Sequence, residues 1–368
     1  MRVLSIESSC DETSAAVVEK IGSNITVLSN VTATSLLTHA KTGGIIPENA
    51  AREQVKFIIP VITEALLASQ NIQKSSNDHE NYTSSQNVLK HKIDTIAVTY
   101  GPGLIGSLLV GVETAKTLSY VFNKPLIPVN HLLAHLFANF IDTTPPFPFI
   151  GLIVSGAHTD LLYFKNIHEY EWLGGTRDDA AGECFDKCAR ILGFDYPGGP
   201  KISELAQKGE AQNIQLPKLM KDNNFEFSFS GLKTAFANIV RQEFEVSKKP
   251  TQDGYSWTHA KIDNLSNAKE KLLYDLCASL ENTIIEVIVR KTLKAAETYN
   301  CSTILIGGGV AANTKLTTEL KSKKNIELFV PEKKYCTDNG AMVGAYALLN
   351  PAEKSWKEVT ANPNLYFD

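Results

Sequence analysis

His131 and His135 stand four residues apart in HLLAH, a spacing that puts both imidazoles on one face of a helix, about one turn from each other. The pattern is close to the H-E-x-x-H of zinc proteases, but Leu132 holds the place of the catalytic glutamate. Two imidazoles do not complete a site, because a catalytic metal normally takes three protein ligands and keeps a position open. A third donor is available in YCTDNGAMVGAYALL, where Asp338 precedes an apolar helical pattern. One reading of that aspartate is a helix N-cap. The other is a two-histidine, one-carboxylate site, suited to Fe(II) and acceptable to Zn(II). Cys184 and Cys188 also share a helical face, but their amphipathic surroundings favour packing over metal binding.

Such side chains need elements to hold them, and the clearest architectural signal is a repeat. RVLSIESSCDETSAAVVEK (2–20) reads as strand, polar turn, strand, and FIGLIVSGAHTDLLYF (149–164) has the same grammar. The chain therefore looks like two related halves, each opening on a hairpin with small polar residues at its tip. IDTIAVTYGPGLIGSLLVGVETAKTLSYVF (93–122) predicts a buried strand, a glycine turn and a long helix, and TILIGGGVAANTKLTTEL (303–320) repeats it, which is α/β alternation. The glycine turns GPGLIG (101–106) and GGGVAAN (307–313), with the tips SSCDET (8–13) and SGAHT (155–159), are candidate anion cradles, since bare backbone amides approach a phosphate closely. Neither GxxxxGK(S/T) nor a G-x-G-x-x-G with an acidic residue ~20 positions on is present, which excludes the commonest P-loop and dinucleotide readings. In GGTRDDAAGECFDKCARILG (174–193), Asp178 and Asp179 fit a helix N-terminus. Asp186 lies nearer the apolar face and needs a polar partner or a ligand hydroxyl. YPGGP (196–200) reads as a rigid turn. Residues 69–92 and 247–271, rich in Ser, Asn, Lys and Asp without periodicity, read as mobile surface segments.

The composition limits what these parts can serve. The chain has 368 residues, enough for two ordinary domains, with 43% hydrophobic and 21% charged residues, as in a soluble globular protein. A net charge of -4 gives no global footprint for nucleic acid, so such a partner must be held by a local patch. Six cysteines without framework spacing (Cys10, Cys184, Cys188, Cys277, Cys301, Cys336) suggest a reducing, cytoplasmic setting. The apolar runs fall short of the ~20 residues that span a bilayer, so no membrane association is expected.

The strings IESSCDET, GGIIPENAAR, GPGLIGSLLVG, HLLAH, VSGAHT, DDAAGECFDK, GFDYPGG, FSFSGLKT, GGGVAAN and CTDNGAM together resemble the TsaD family, once labelled O-sialoglycoprotein endopeptidase, from residue 1 to about 350. The resemblance implies a duplicated two-lobe α/β fold of the actin, sugar-kinase and Hsp70 ATPase (ribonuclease H-like) type. One lobe would comprise 1–129 plus 337–368 and the other 130–336. It implies transfer of an L-threonylcarbamoyl group from threonylcarbamoyl-AMP to N6 of adenosine 37 in tRNAs that read codons beginning with A. By the same resemblance, one divalent metal, Fe(II) or else Zn(II), falls on His131, His135 and Asp338. Substrate contacts fall on Ile153, Val154, Ser155, Gly156, Ala157, Asp186, Gly199 and Asn313. Asp11 and Glu12, at the first hairpin tip, are candidates for the base that takes the amine proton. Implied partners are a TsaB-like paralogue, with residues 43–67 as part of its contact, and a TsaE-like ATPase, while TsaC-type enzymes supply the donor.

Three departures stand out. Ala157 replaces a glycine of the family's VSGGHT loop, and Asn130 and Leu133 replace a histidine and a glutamate of its HHMEGH helix. ANPNLYFD stands where the family has R-P-R-W-P-L. Two rival readings are a metal-dependent (glyco)peptidase, suggested by the paired histidines, and an ATPase or sugar-kinase-like binding scaffold, suggested by the duplicated hairpins.

Overall fold

The computed structural model describes residues 1–34, 46–220, 222, 224–251, 254–260, 262 and 265–367. The first half opens with β1 (Arg2–Glu7), β2 (Glu12–Ile21) and β3 (Asn24–Thr34), followed by helices α1 (Pro47–Ala68) and α2 (Asp78–Lys92). It continues through β4 (Thr95–Gly101), α3 (Ile105–Phe122) and β5 (Leu126–Asn130) to the short helix α4 (His131–Phe137). The second half repeats the opening as β6 (Phe149–Val154), β7 (Thr159–Asn166) and β8 (Glu169–Gly175). Then come α5 (Ala181–Ile191), α6 (Gly199–Ala206), α7 (Ser230–Glu243), the hairpin β9 (Val246–Thr251) and β10 (Gly254–Ala260), and the long helix α8 (Asn267–Thr298). β11 (Thr303–Gly307), α9 (Thr314–Lys321), β12 (Glu327–Phe329) and α10 (Gly340–Leu349) follow.

The two large sheets have the same plan. The first runs β3-β2-β1-β4-β5 and the second β8-β7-β6-β11-β12. In each, the three opening strands are antiparallel and the last two join in parallel. The duplication expected from the hairpins therefore extends through whole sheets and gives the two-lobe α/β fold. Strands such as β6, FIGLIV, carry no polar side chain because they are covered on both faces.

The helices after the fifth strands cross over. α4 follows β5 yet packs on β6 and β11, whereas α10 follows β12 and packs on β1, β2 and β3. The two helices also pack on each other, and Leu132, Leu136, Phe137, Met342, Val343 and Tyr346 share one core between the sheets. A second core lies between the first sheet and α1 and α3, and a third joins the second sheet to α5–α8.

Most of the two segments read as mobile and surface-lying carries regular secondary structure. Residues 78–92 form α2, which buries Val88 and Leu89 and complements its dipole with Asp78 and Glu80 in the first turn and Lys90, His91 and Lys92 in the last. Residues 247–271 fall on the β9–β10 hairpin and the start of α8, with 252, 253, 261, 263 and 264 outside the described residues. Of the 43–67 segment, Gly43, Gly44 and Ile45 also lie outside them. Among the described residues no helix is long and apolar enough to cross a membrane.

Candidate active site

α4 is only seven residues long, so its position depends on its ends and its back. Asn130 caps it, with Oδ1 accepting from the amides of Leu132 (2.9 Å) and Leu133 (3.3 Å). Behind it, β11 ends in Gly307, where a methyl group would stand 2.6 Å from the His135 carbonyl carbon. Glycine there permits helix and strand backbones to touch. The two imidazoles then lie edge to face, centroids 4.7 Å apart. Asp338 reaches them from the turn before α10. Its carboxylate is not a cap, because Asn339 takes that role by accepting from the Met342 amide. Asp338 Oδ1 lies 3.2 Å from His135 Nε2 and 3.7 Å from His131 Nε2, and one ligand atom from each residue falls within 4.8 Å of the others.

These residues fit a divalent metal on two observations. Both ring nitrogens of His135 are buried without a hydrogen-bond partner, its Nε2 being close to Asp338 but not aligned for a hydrogen bond. Native structures rarely leave such atoms unmatched unless something binds them. His131 is instead held from behind: its Nδ1 contacts Glu7 Oε2 (3.1 Å) and Ser9 Oγ (3.2 Å), leaving Nε2 toward Asp338. Glu7, buried at the end of β1, is itself fixed by Thr99 Oγ1 (2.6 Å) and the Ser9 amide (2.6 Å). A carboxylate behind a histidine ligand orients the ring and raises its basicity. Burial works against charge on His131, but Glu7 and Asp338 lift it to about 9. Asp338 is held at about 2 against its burial by His131 and His135. A site that favours positive charge this strongly suits a cation.

One cleft of about 1640 Å³ runs from this triad between the halves. Asp11, Glu12, Ser155, Gly156, Ala157, Asp186, Gly199 and Asn313 line it with the triad. Ile153 and Val154 do not. They are buried in β6, a central strand whose partners β7 and β11 engage its edges. At the loop tip, Ser155 Oγ accepts from the amides of Ala157 (3.3 Å) and His158 (3.1 Å), and Ala157 is exposed. Asp186 Oδ1 receives the amides of Gly198 (2.8 Å) and Gly199 (3.0 Å), which fastens the YPGGP turn to α5. Asn313 caps α9 through the Leu316 amide, and its Nδ2 donates to Ser203 Oγ (3.0 Å) and Glu281 Oε1 (2.7 Å). Burial, then the charges of Asp338 and Asp11, push Glu12 up to about 10.

Asp178 and Asp179 do not cap α5, whose N-cap is Ala180. Asp178 accepts from Ser228, Phe229 and Ser230 at the start of α7, and Asp179 pairs with Lys187 and Lys233, so these strings brace two helices. Cys184 and Cys188 are fully buried in the core, as packing requires. The sequence reading missed Glu7, His158, Ser203 and Glu281. The first two lay inside the motifs IESSCDET and VSGAHT, whereas the helix carrying Glu281 offers no local signal. His158 is lowered to about 4 by burial and by the neighbouring His131 and His135.

A family model described as TsaD, tRNA N6-adenosine threonylcarbamoyltransferase, matches residues 26–345. A Staphylococcus saprophyticus protein of that name is 41% identical over 93% of this chain and 89% of its own. One from Thermosipho africanus is 41% identical over 99% of both chains, and one from Moorella thermoacetica 39% over 98% and 95%. Among solved structures, T. kodakarensis HypF superposes with a TM-score of 0.55 at 13% identity, over 94% of this chain and 47% of that one, a likeness of fold alone.

Proposed function

The chain belongs to the TsaD family of tRNA N6-adenosine threonylcarbamoyltransferases, and from that premise we propose that the cleft between its two sheets is where the acyl group is transferred. The protein is an acyltransferase that moves the L-threonylcarbamoyl group from threonylcarbamoyl-AMP to N6 of adenosine 37 in tRNAs reading codons that begin with A. The observation that carries the placement is that His131, His135 and Asp338 open onto the same cleft as the Ser155–His158 turn, Asp186, Gly199 and Asn313.

The exocyclic amine of adenine is a weak nucleophile, so rate must come from placement and from stabilising charge on the carbonyl oxygen. The amine nitrogen bonds to the carbamoyl carbon, the carbon–oxygen bond to AMP breaks, the phosphate leaves with the electron pair, and the amine gives up a proton. His131, His135 and Asp338 would hold a divalent cation, Fe(II) or Zn(II), which would supply Lewis acidity to the transfer. The AMP part lies against the Ser155–His158 turn and Gly199, with Asp186 holding the YPGGP turn and Asn313 joining α9 to Ser203 of α6. Ile153 and Val154, buried in β6, carry the Ser155 turn without lining the cleft. Burial and the charges of Asp338 and Asp11 raise the pKa of the Glu12 carboxyl, and Glu12 and Asp11, side by side on the cleft wall, are the candidates for handling the amine proton.

The lobe division 1–129 plus 337–368 against 130–336 is supported by the packing of α10 on the first sheet and α4 on the second. A TsaB-like paralogue fits the face where α1 and α3 pack together and leave Val55, Ile59, Ile105 and Leu109 exposed. A TsaE-like ATPase completes the assembly. Six unpaired cysteines support a cytoplasmic setting. The peptidase reading is not favoured, since Leu132 stands where a protease glutamate would.

The deciding experiment gives the purified protein, with its paralogue and ATPase, threonylcarbamoyl-AMP and unmodified tRNA. Modified adenosine detected by nucleoside mass spectrometry is the expected result. Casein cleavage, or ATP turnover without modified nucleoside, overturns it.

A further inference from the structure

Residues 362–367 lie across both halves and touch the metal helix where it begins. On the first sheet, the Asn362 amide donates to the Tyr100 carbonyl (2.7 Å) and the Gly103 amide to that of Pro363 (3.3 Å). The approach is close enough that a methyl group at Gly101 would stand 2.0 Å from the Asn362 oxygen. On the second sheet, the Tyr366 hydroxyl donates to Asp160, a carboxylate 1% exposed on β7. Trp172 Nε1 donates to the same oxygen (3.0 Å) and stacks edge-on against Tyr366. Phe367 is buried in the core that holds Leu132, Leu133 and Leu136. Between these anchors the Tyr366 carbonyl accepts from Asn130 Nδ2 (2.6 Å), while the Oδ1 of that same amide caps α4.

We propose that residues 362–367 form a strap that positions the metal helix, with Tyr366 held on Asp160 and fixing through Asn130 where His131 begins. A seven-residue helix gains little stability of its own. Its first turn is fixed by one asparagine side chain, whose other end is tied to the strap. The latch on Asp160 is local and specific: a buried carboxylate is costly without donors, and it has two. Asn130 and Tyr366, which belong to two of the departures from the family pattern, are thus partners in one contact.

The inference rests on the metal assignment, so the test carries two readouts. Full-length Tyr366→Phe, Asp160→Leu and Asp160→Asn are compared with wild type by amide hydrogen exchange in metal-free protein and by the ligand-field spectrum and affinity of added Co(II). Tyr366→Phe and Asp160→Leu should speed exchange across 131–137 by roughly tenfold, leave 105–122 unchanged, shift the cobalt bands and weaken cobalt by about 2–10-fold. Asp160→Asn, which keeps an acceptor for both donors, should behave as wild type. Wild-type exchange in the first two variants overturns the strap. Altered exchange with an unmoved cobalt spectrum overturns its role in positioning. If His135→Ala leaves the cobalt spectrum unchanged, the metal assignment has failed by itself, and exchange alone then decides the strap.

Discussion

The two ends of the cleft are built on opposite principles. At the metal end, polar atoms are left over: His135 has no hydrogen-bond partner, and Asp338 has been released from capping by Asn339 next to it. At the donor end, polar atoms are engaged: Asp186 holds two glycine amides, Asn313 caps a helix and reaches Ser203 and Glu281, and Ser155 closes its own turn. Unmatched buried atoms mark a site where, as at His135, they converge with other ligand groups. A set of satisfied turns identifies only a surface of fixed shape. Its recognition of a ligand must come from what those side chains hold in place, namely the shape and space of the cleft.

The contrast predicts a ranking. The largest effect should come from His131→Ala, His135→Ala and Asp338→Ala, each weakening divalent metal by more than about 100-fold, since loss of an outer partner alone costs roughly 10–100-fold. Metal content of the folded variants after dialysis checks this, and wild-type content in all three breaks the comparison at its stronger end. Glu7→Gln should follow, about 10–100-fold weaker for metal, with melting of the metal-free protein showing whether the buried site still folds. Asn313→Ala comes next. Loss of a cap should destabilise the protein by about 1 kcal/mol, while Asn313→Ser, which can still cap, should recover most of it. Parallel titration with a non-hydrolysable donor analogue sharpens the point. Affinity should fall with stability in the alanine variant and return with the serine, whereas a fall in both at unchanged melting temperature would mean direct ligand contact. The smallest effect belongs to Asp178. Burial raises its pKa, but donors from Ser228, Phe229 and Ser230 outweigh that and hold it below the usual carboxylate value. Its contribution to stability is therefore present above the ordinary carboxylate pKa and lost as pH falls through the depressed one. Asp178→Asn should flatten that acid-side loss in melts taken across the range; an unchanged slope would remove Asp178 from the brace.

Legibility in the sequence followed the same division. HLLAH was readable because ligand chemistry requires particular residue types at helical spacing, Asp338 because the family resemblance singled out the ligand reading over the cap, and the hairpin repeat because period-two strands end in polar turns. Glu7 was not, since a glutamate at a strand end gives no sign of whether it faces solvent or a histidine 124 residues away. Asn313 was legible as a position but not in its role, because an amide at a helix start serves a cap and a ligand equally well. α2 was missed because its apolar face has little more than Val88 and Leu89, and the rest of DHENYTSSQNVLKHK is polar enough to read as loop. Its stability comes from what it packs on, which local sequence does not encode.

The crossing of α4 and α10 has a consequence for folding itself. Roughly two hundred residues of chain lie between His131 and Asp338, and the helices they introduce descend from equivalent places in the two repeats. A cation shared by both is a staple closing a very long loop, and the unfolded chain cannot keep the three ligands together. Occupancy then adds to the free energy of unfolding by mass action, about 2.7 kcal/mol at a hundredfold excess over the dissociation constant. Melting temperature becomes a gauge of metal supply, and metal starvation would loosen the join between the repeats as well as slow the chemistry.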